Sequence, residues 1–146
     1  MRPEDAAPRA DKTIRLSDYT PPAWTAEETR LVFDLRPDTA RVTATIRFRR
    51  TGDGPADLRL DGHSITLVSA AIDGRALAPE QIAEVEDGVV IDAGALPADS
   101  FEWACETAID AAANTSLEGL YMSNGMYCTQ CEAEGFRKIT YYPDRP

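Results

Sequence analysis

The sequence predicts an all-β domain, an antiparallel β-sandwich or saddle-like sheet, on two observations. Short segments of alternating apolar and polar residues recur between Leu31 and Ile109, and Gly-, Asp- and Pro-containing turn signals separate them. The length of 146 residues suits one domain. A chain of this size buries roughly 68–70% of the surface its unfolded form exposes, enough for an independent core.

The elements follow in order. Residues from Met1 to about Lys12 are rich in Pro, Ala and charge and are expected to be flexible, leaving 13–146 as the β domain. Tyr19, Pro21, Pro22 and Trp24 form an extended lead-in with aromatic anchors, because paired prolines favour extended backbone. Leu31, Phe33 and Leu35 then alternate with Val32 and Asp34, and Pro37-Asp38 marks a turn. The clearest strand is Ala40–Arg50. Val42, Ala44, Ile46 and Phe48 point one way, and Arg41, Thr43, Thr45, Arg47 and Arg49 the other. Those arginines invite a ligand-site reading, but the outer faces of antiparallel strands are commonly polar, and a solvated face is the weightier reading.

Further strands fit Leu58–Leu60, Ile65–Ile72, Val89–Ile91 and Phe101–Ile109. The turns between them fall at Gly52-Asp53-Gly54-Pro55, Asp61-Gly62, Asp73-Gly74 and Asp87-Gly88. A short helix is expected near Pro79–Ala83. In the last strand Phe101, Trp103, Cys105, Thr107 and Ile109 share a face, so Cys105 reads as a small core residue. After Asp110 the alternation fades. Thr115-Ser116-Leu117-Glu118 has the form of a capping box, yet Gly119 would end any helix at once. The stretch from Ala111 to Pro146 is irregular, polar and aromatic, a composition that suits a functional loop better than a core.

Charge and hydropathy exclude whole classes of partner. A net charge of -10, from 15 basic and 25 acidic side chains, would repel a phosphate backbone, so no nucleic acid is expected. Nothing approaches the ~20 consecutive apolar residues of a membrane span. The charged start lacks the apolar core of a secretory signal, and three cysteines are an odd number for a disulfide framework. A cytoplasmic setting is therefore expected, where the sequon Asn114-Thr115-Ser116 would carry no meaning.

Two groups could carry chemistry. Cys128 and Cys131 form a C-x-x-C pair, the general mark of metal or redox sites. A structural zinc needs four ligands, and only Cys105 and His63 remain, in separate strand regions. A redox pair usually opens a helix within a βαβ setting, which the pattern lacks. His63 reads as an exposed turn residue. Glu132, Glu134 and Asp144 form an acidic cluster that composition alone would assign to solvent.

The full string Cys128-Thr-Gln-Cys-Glu-Ala-Glu-Gly-Phe-Arg-Lys-Ile-Thr-Tyr-Tyr-Pro-Asp-Arg-Pro146 resembles the bacterial aminopeptidase N family of zinc-dependent peptidases. The segment Asn114-Thr-Ser-Leu-Glu-Gly-Leu-Tyr121 matches the same family's N-T-x-L-E-G-L-Y, in the same order and at similar spacing. Pro143 departs from the Leu usual there. The strong likeness covers about Asn114 to Pro146, and the opening strands fit more loosely.

The resemblance implies the N-terminal β domain of a multidomain metallo-aminopeptidase, packed against a catalytic domain that lies outside this chain. The family's zinc is held by H-E-x-x-H and a distant Glu, and a G-x-M-E-N stretch helps grip the substrate; neither string occurs here. No catalytic residue and no metal ligand is therefore expected in this chain, which on its own should be inactive. It reads as a piece that stops inside the family motif. Residues 114–146 would be a substrate-facing loop segment and the start of the lead to the catalytic domain. By the same resemblance, Glu132 binds the α-amino group of a peptide substrate and Gln130 lines the pocket for its first side chain; Cys131, between them in extended backbone, is expected to face the other way into packing. Two readings from other classes stand beside this one: a free-standing β-sandwich binding module without catalysis, and a thiol-redox or metal role for Cys128 and Cys131.

Overall fold

The computed structural model describes residues 15–36 and 39–145. The expected flexible start over 1–12 and the turn at Pro37-Asp38 lie outside the described residues. Ten strands follow one another: β1 (Trp24–Asp34), β2 (Ala40–Arg50), β3 (Leu58–Asp61), β4 (Thr66–Ile72), β5 (Arg75–Ala76), β6 (Ile82–Val85), β7 (Gly88–Ile91), β8 (Ser100–Ile109), β9 (Gly119–Ser123) and β10 (Met126–Gln130). No α-helix occurs among the described residues. The strands form a five-stranded sheet in the order β1-β2-β8-β4-β5, a three-stranded sheet β3-β7-β6, and the hairpin β9-β10, with every pairing antiparallel. The all-β expectation holds.

The large sheet forms the common layer because its two central strands alternate most cleanly. Val42, Ala44, Ile46 and Phe48 of β2 are fully buried, as are Trp103 and Thr107 of β8, and the register sets Ile46 against Trp103 and Phe48 against Phe101. Side chains of this size contribute roughly 1.5–3 kcal/mol each when taken from water. One half of this face packs on Leu58, Leu60, Val89 and Ile91 of the small sheet. Over the other half, Val42, Ile109 and Ala40 meet Leu120 and Ile139. Two apolar clusters thus share one roof.

The outer face carries the arginines, and they are engaged with this chain's own carboxylates. Arg41 lies 2.7 Å from Glu106, and Arg47 and Arg49 face Glu28 and Glu27 across the β1-β2 pairing. These pairs are exposed, and solvent screening leaves them little to add to stability. They support the solvated-face reading over a ligand site.

Several boundaries differ from the sequence reading, each for a physical reason. β1 begins at Trp24, seven residues before the alternation shows, because it is an edge strand whose charged first half is exposed on both faces. The segment Pro79–Ala83 makes only a 3₁₀ turn over Pro79–Gln81; Ile82 and Ala83 then pair with Ile91 and Val90. No helix follows Asn114. Its side-chain oxygen accepts from the Ser116 N–H and hydroxyl, and its amide donates to the carbonyls of Glu118 and Leu120. Such local side-chain bonds compete with a helical turn.

The largest difference is at the end of the chain. Ile139, Thr140 and Tyr141 are core residues, not loop. The Thr107 hydroxyl donates to the Ile139 carbonyl at 2.9 Å, and Thr140 Oγ1 lies 3.5 Å from Cys105 Sγ. The Tyr141 ring fills the space beside Gly62, where a Cβ would stand 2.3 Å from a ring carbon. Asp61 and Tyr142 exchange backbone hydrogen bonds at 2.8 and 3.0 Å.

Thr107→Val keeps the side-chain shape but leaves the Ile139 carbonyl short of a donor, and is expected to destabilise the domain by about 1–3 kcal/mol. A lower urea midpoint at unchanged m-value checks it. Cys105 is 2% exposed and burial pushes its thiol pKa up, whereas Cys131 is exposed and Cys128 half-buried. Thiol titration of the folded chain should therefore label Cys128 and Cys131 and spare Cys105 until denaturant is added.

Candidate functional site

The residues singled out by sequence lie where the β9-β10 hairpin hands over to the buried end segment. The hairpin is closed by Asn124-Gly125, both at positive φ (50° and 80°), the two-residue turn that matches the twist of paired strands. Pairing runs from Met126↔Ser123 to Gln130↔Gly119, so Gln130 is the last residue of β10. Residues 131–135 then reverse the chain, closed by the Gly135 N–H to the Cys131 carbonyl at 2.9 Å. A Cβ on Gly135 would lie 2.2 Å from the Gln130 carbonyl oxygen, so only glycine allows so tight a return. A 3₁₀ turn over Phe136–Lys138 leads into the core segment.

Glu132 stands on this turn, exposed, with no ion pair to its carboxylate among the described residues. Its peptide bond to Ala133 is cis. Its N–H donates to Oε1 of Gln130 at 3.2 Å, so the Gln130 side chain folds back on the turn instead of extending from it. The two predicted site residues are therefore brought together directly.

The remaining acidic residues separate from Glu132. Asp144 is half-buried and takes the Nε–H of Arg137 at 2.9 Å. Glu134, largely exposed, lies 3.8 Å from the same guanidinium. Burial works against the charge on Arg137, but the hydrogen bond and charge of Asp144, with Glu134 and Asp61 beyond, outweigh it and raise its pKa. Beneath the turn Lys138 pairs with Glu118, whose pKa is lowered by that hydrogen bond and charge. The order of these pairs along the chain gives no hint of them in sequence; the pattern of a half-buried Asp144 beside Arg137 emerges only once the end segment is seen to cross the core.

Neither cysteine of the C-x-x-C pair has a metal-like setting. Cys128 is on β10 and Cys131 on the turn, exposed and not packed as expected, because the backbone turns here instead of staying extended. Burial and the nearby Asp144 charge push the Cys131 thiol up, the opposite of a reactive thiolate. His63 is half-buried, and its backbone N–H donates to the Arg137 carbonyl at 2.9 Å. Among the described residues no three His, Cys, Asp or Glu side chains converge to hold a metal, so these residues do not fit a zinc site. No described helix is long and apolar enough to cross a membrane.

Comparison with known proteins places this geometry. No family model matches the chain. Aminopeptidase N of Caulobacter vibrioides is 48% identical over 135 residues, covering 92% of this chain and 15% of that protein. The crystal structure of Legionella pneumophila aminopeptidase A in complex with aspartic acid superposes with a TM-score of 0.81 at 29% identity, over 91% of this chain and 16% of that one. An M1 zinc metallopeptidase of Deinococcus radiodurans, bound to a Tyr-Ser-Ala substrate, shares the fold with a TM-score of 0.67 at 15% identity, over 85% of this chain and 30% of that one. The chain thus spans about 15% of the length of the curated relative it matches. Along almost all of its residues the chain is similar to aminopeptidase N, and its fold is that of the N-terminal β domain of such aminopeptidases.

Proposed function

We propose that this chain is the substrate-facing domain of a zinc aminopeptidase that removes N-terminal residues from peptides, working in the cytoplasm. In this reading Glu132 binds the α-ammonium of the substrate and Gln130 stands beside the first side chain. The observation that carries it is the Glu132 carboxylate: exposed, without a cation of its own among the described residues, and presented on a turn held at both ends.

The physics suits an exopeptidase. Internal peptide bonds have no ammonium, so a carboxylate aimed at the amine distinguishes a chain end from a chain interior. A charge-assisted hydrogen bond of this kind is worth about 1.5–3 kcal/mol, or roughly one to two decades of discrimination. Gln130 has a second part in this arrangement. By accepting from the Glu132 N–H it restricts the turn before substrate arrives, which lowers the ordering cost of binding. The zinc, and the groups that act on the scissile bond, would belong to a catalytic domain elsewhere in such a protein, since this chain's described residues do not fit the metal.

Reading the gene on past Pro146 tests the framework: H-E-x-x-H is expected within the following few hundred residues, and a stop codon there would favour a free-standing β-sandwich binding module. In the full-length protein, Glu132→Ala is expected to lower kcat/KM by roughly ten- to several-hundred-fold through loss of the amine contact. Unchanged kinetics on several aminoacyl substrates would remove Glu132 from the site.

A further inference from the structure

The turn that presents Glu132 is short and exposed over residues 131–134, and its internal hydrogen bonds fix its shape more than its place on the domain. Its support comes from the segment that follows. The Lys138 N–H donates to the Gly135 carbonyl at 3.0 Å, which joins the turn to the 3₁₀ turn bearing Arg137. Arg137 is held twice. Its carbonyl accepts from the His63 N–H at 2.9 Å, and its guanidinium reaches Asp144, with Nε to Oδ2 at 2.9 Å and a second nitrogen to the backbone carbonyl at 3.3 Å.

Asp144 is in turn moored on the small sheet. Its N–H donates to Oδ2 of Asp61 at 3.2 Å, and Asp61, 7% exposed, ends β3. A continuous polar chain therefore runs from a buried strand end to the residue next to the turn. On its far side Arg137 also faces Glu134, two residues from Glu132, at 3.8 Å. Both partners of the Arg137–Asp144 pair keep less than a quarter of their side-chain surface, 20% and 23%, so solvent screens this pair less than those on the outer face.

We propose that Arg137 and Asp144 are positioning residues: their ion pair, moored on Asp61, sets the place of the Glu132 carboxylate for the α-ammonium of a peptide substrate. This rests on the amine-binding reading of Glu132. The pair is suited to position the turn more than to hold the fold, because Ile139, Thr140 and Tyr141 between its two ends are secured by their own burial. Losing the pair loosens the arm between residues 131 and 137, which then hangs on the His63, Phe136 and Lys138 contacts, while the core segment stays seated. A displaced carboxylate then contributes less to amine recognition, and contacts with the rest of the ligand are untouched.

The test is a ratio of inhibition constants in the full-length protein, measured with leucine hydroxamate and with its analogue lacking the α-amino group. The ratio reports the contribution of the amine and does not depend on the fraction of folded protein. Arg137→Met and Asp144→Asn are each expected to lower the amine preference by roughly five- to fiftyfold, with the des-amino analogue changed by less than about twofold. Arg137→Lys, which restores charge but not the fork, should recover part of it. If Arg137→Met fails to fold, Asp144→Asn, which keeps side-chain shape, decides alone. An unchanged ratio in these variants beside a collapsed ratio in Glu132→Gln overturns the positioning role, as does an equal weakening of both inhibitors. An unchanged ratio in Glu132→Gln itself overturns the amine-binding reading and the proposal with it.

Discussion

The seating of Ile139–Tyr141 beneath β8 is the constraint on which the rest of the architecture turns. Thr107 and Cys105, which an ordinary strand would replace with larger apolar residues, instead offer a hydroxyl to the Ile139 carbonyl and a small thiol to the Thr140 hydroxyl. Gly62 leaves a slot for the Tyr141 ring. With that segment in place, the hairpin before it must lie over the half of the large sheet that the small sheet does not reach. Leu120 completes the second apolar cluster there. The position of Gln130 and Glu132 follows from core packing, although neither residue belongs to the core.

Legibility in the sequence varied with how strongly one face of an element is buried. β2 and β8 alternate without interruption, and both stand in the middle of the sheet, so their pattern and their burial coincide. The first half of β1 shows no alternation because an edge strand open on both sides has no inner set to declare. The β9-β10 hairpin differs from the irregular loop expected there: Asn124-Gly125 marks its turn, but Tyr121, Met122, Tyr127 and Cys128 on its strands are all only half-buried, and the polar surroundings hid the pattern. Thr140 misleads for the opposite reason: a polar residue, fully buried, in a segment whose composition speaks of solvent. For the site, residue type could not separate Glu132 from Asp144. Only the family likeness pointed to Glu132, and only the fold shows Asp144 committed to Arg137.

The outer surface illustrates how little a row of like charges reveals by itself. Arg41, Arg47 and Arg49 project from one face of β2, yet the neighbouring strands answer them with Glu106, Glu28 and Glu27, of which Glu28 stands directly opposite its partner. Cross-strand partners a long way off in sequence neutralise the stripe. What remains is an acidic molecule with a net charge of -10.

The long flank formed by β1 has a bearing on the handling of this domain by itself. Among the described residues its outer row of backbone donors and acceptors faces no neighbouring strand, and Val32, Phe33 and Leu35 beside it remain open to water. A ribbon of that kind is a template on which a second copy could grow. The alternating Glu27, Glu28, Arg30 and Asp34 along the same ribbon are the counterweight, placing charges of both signs where an incoming chain would have to align. Salt that screens those charges removes the guard, so concentrated, high-ionic-strength solutions are where unwanted fibre-like association of this domain would begin.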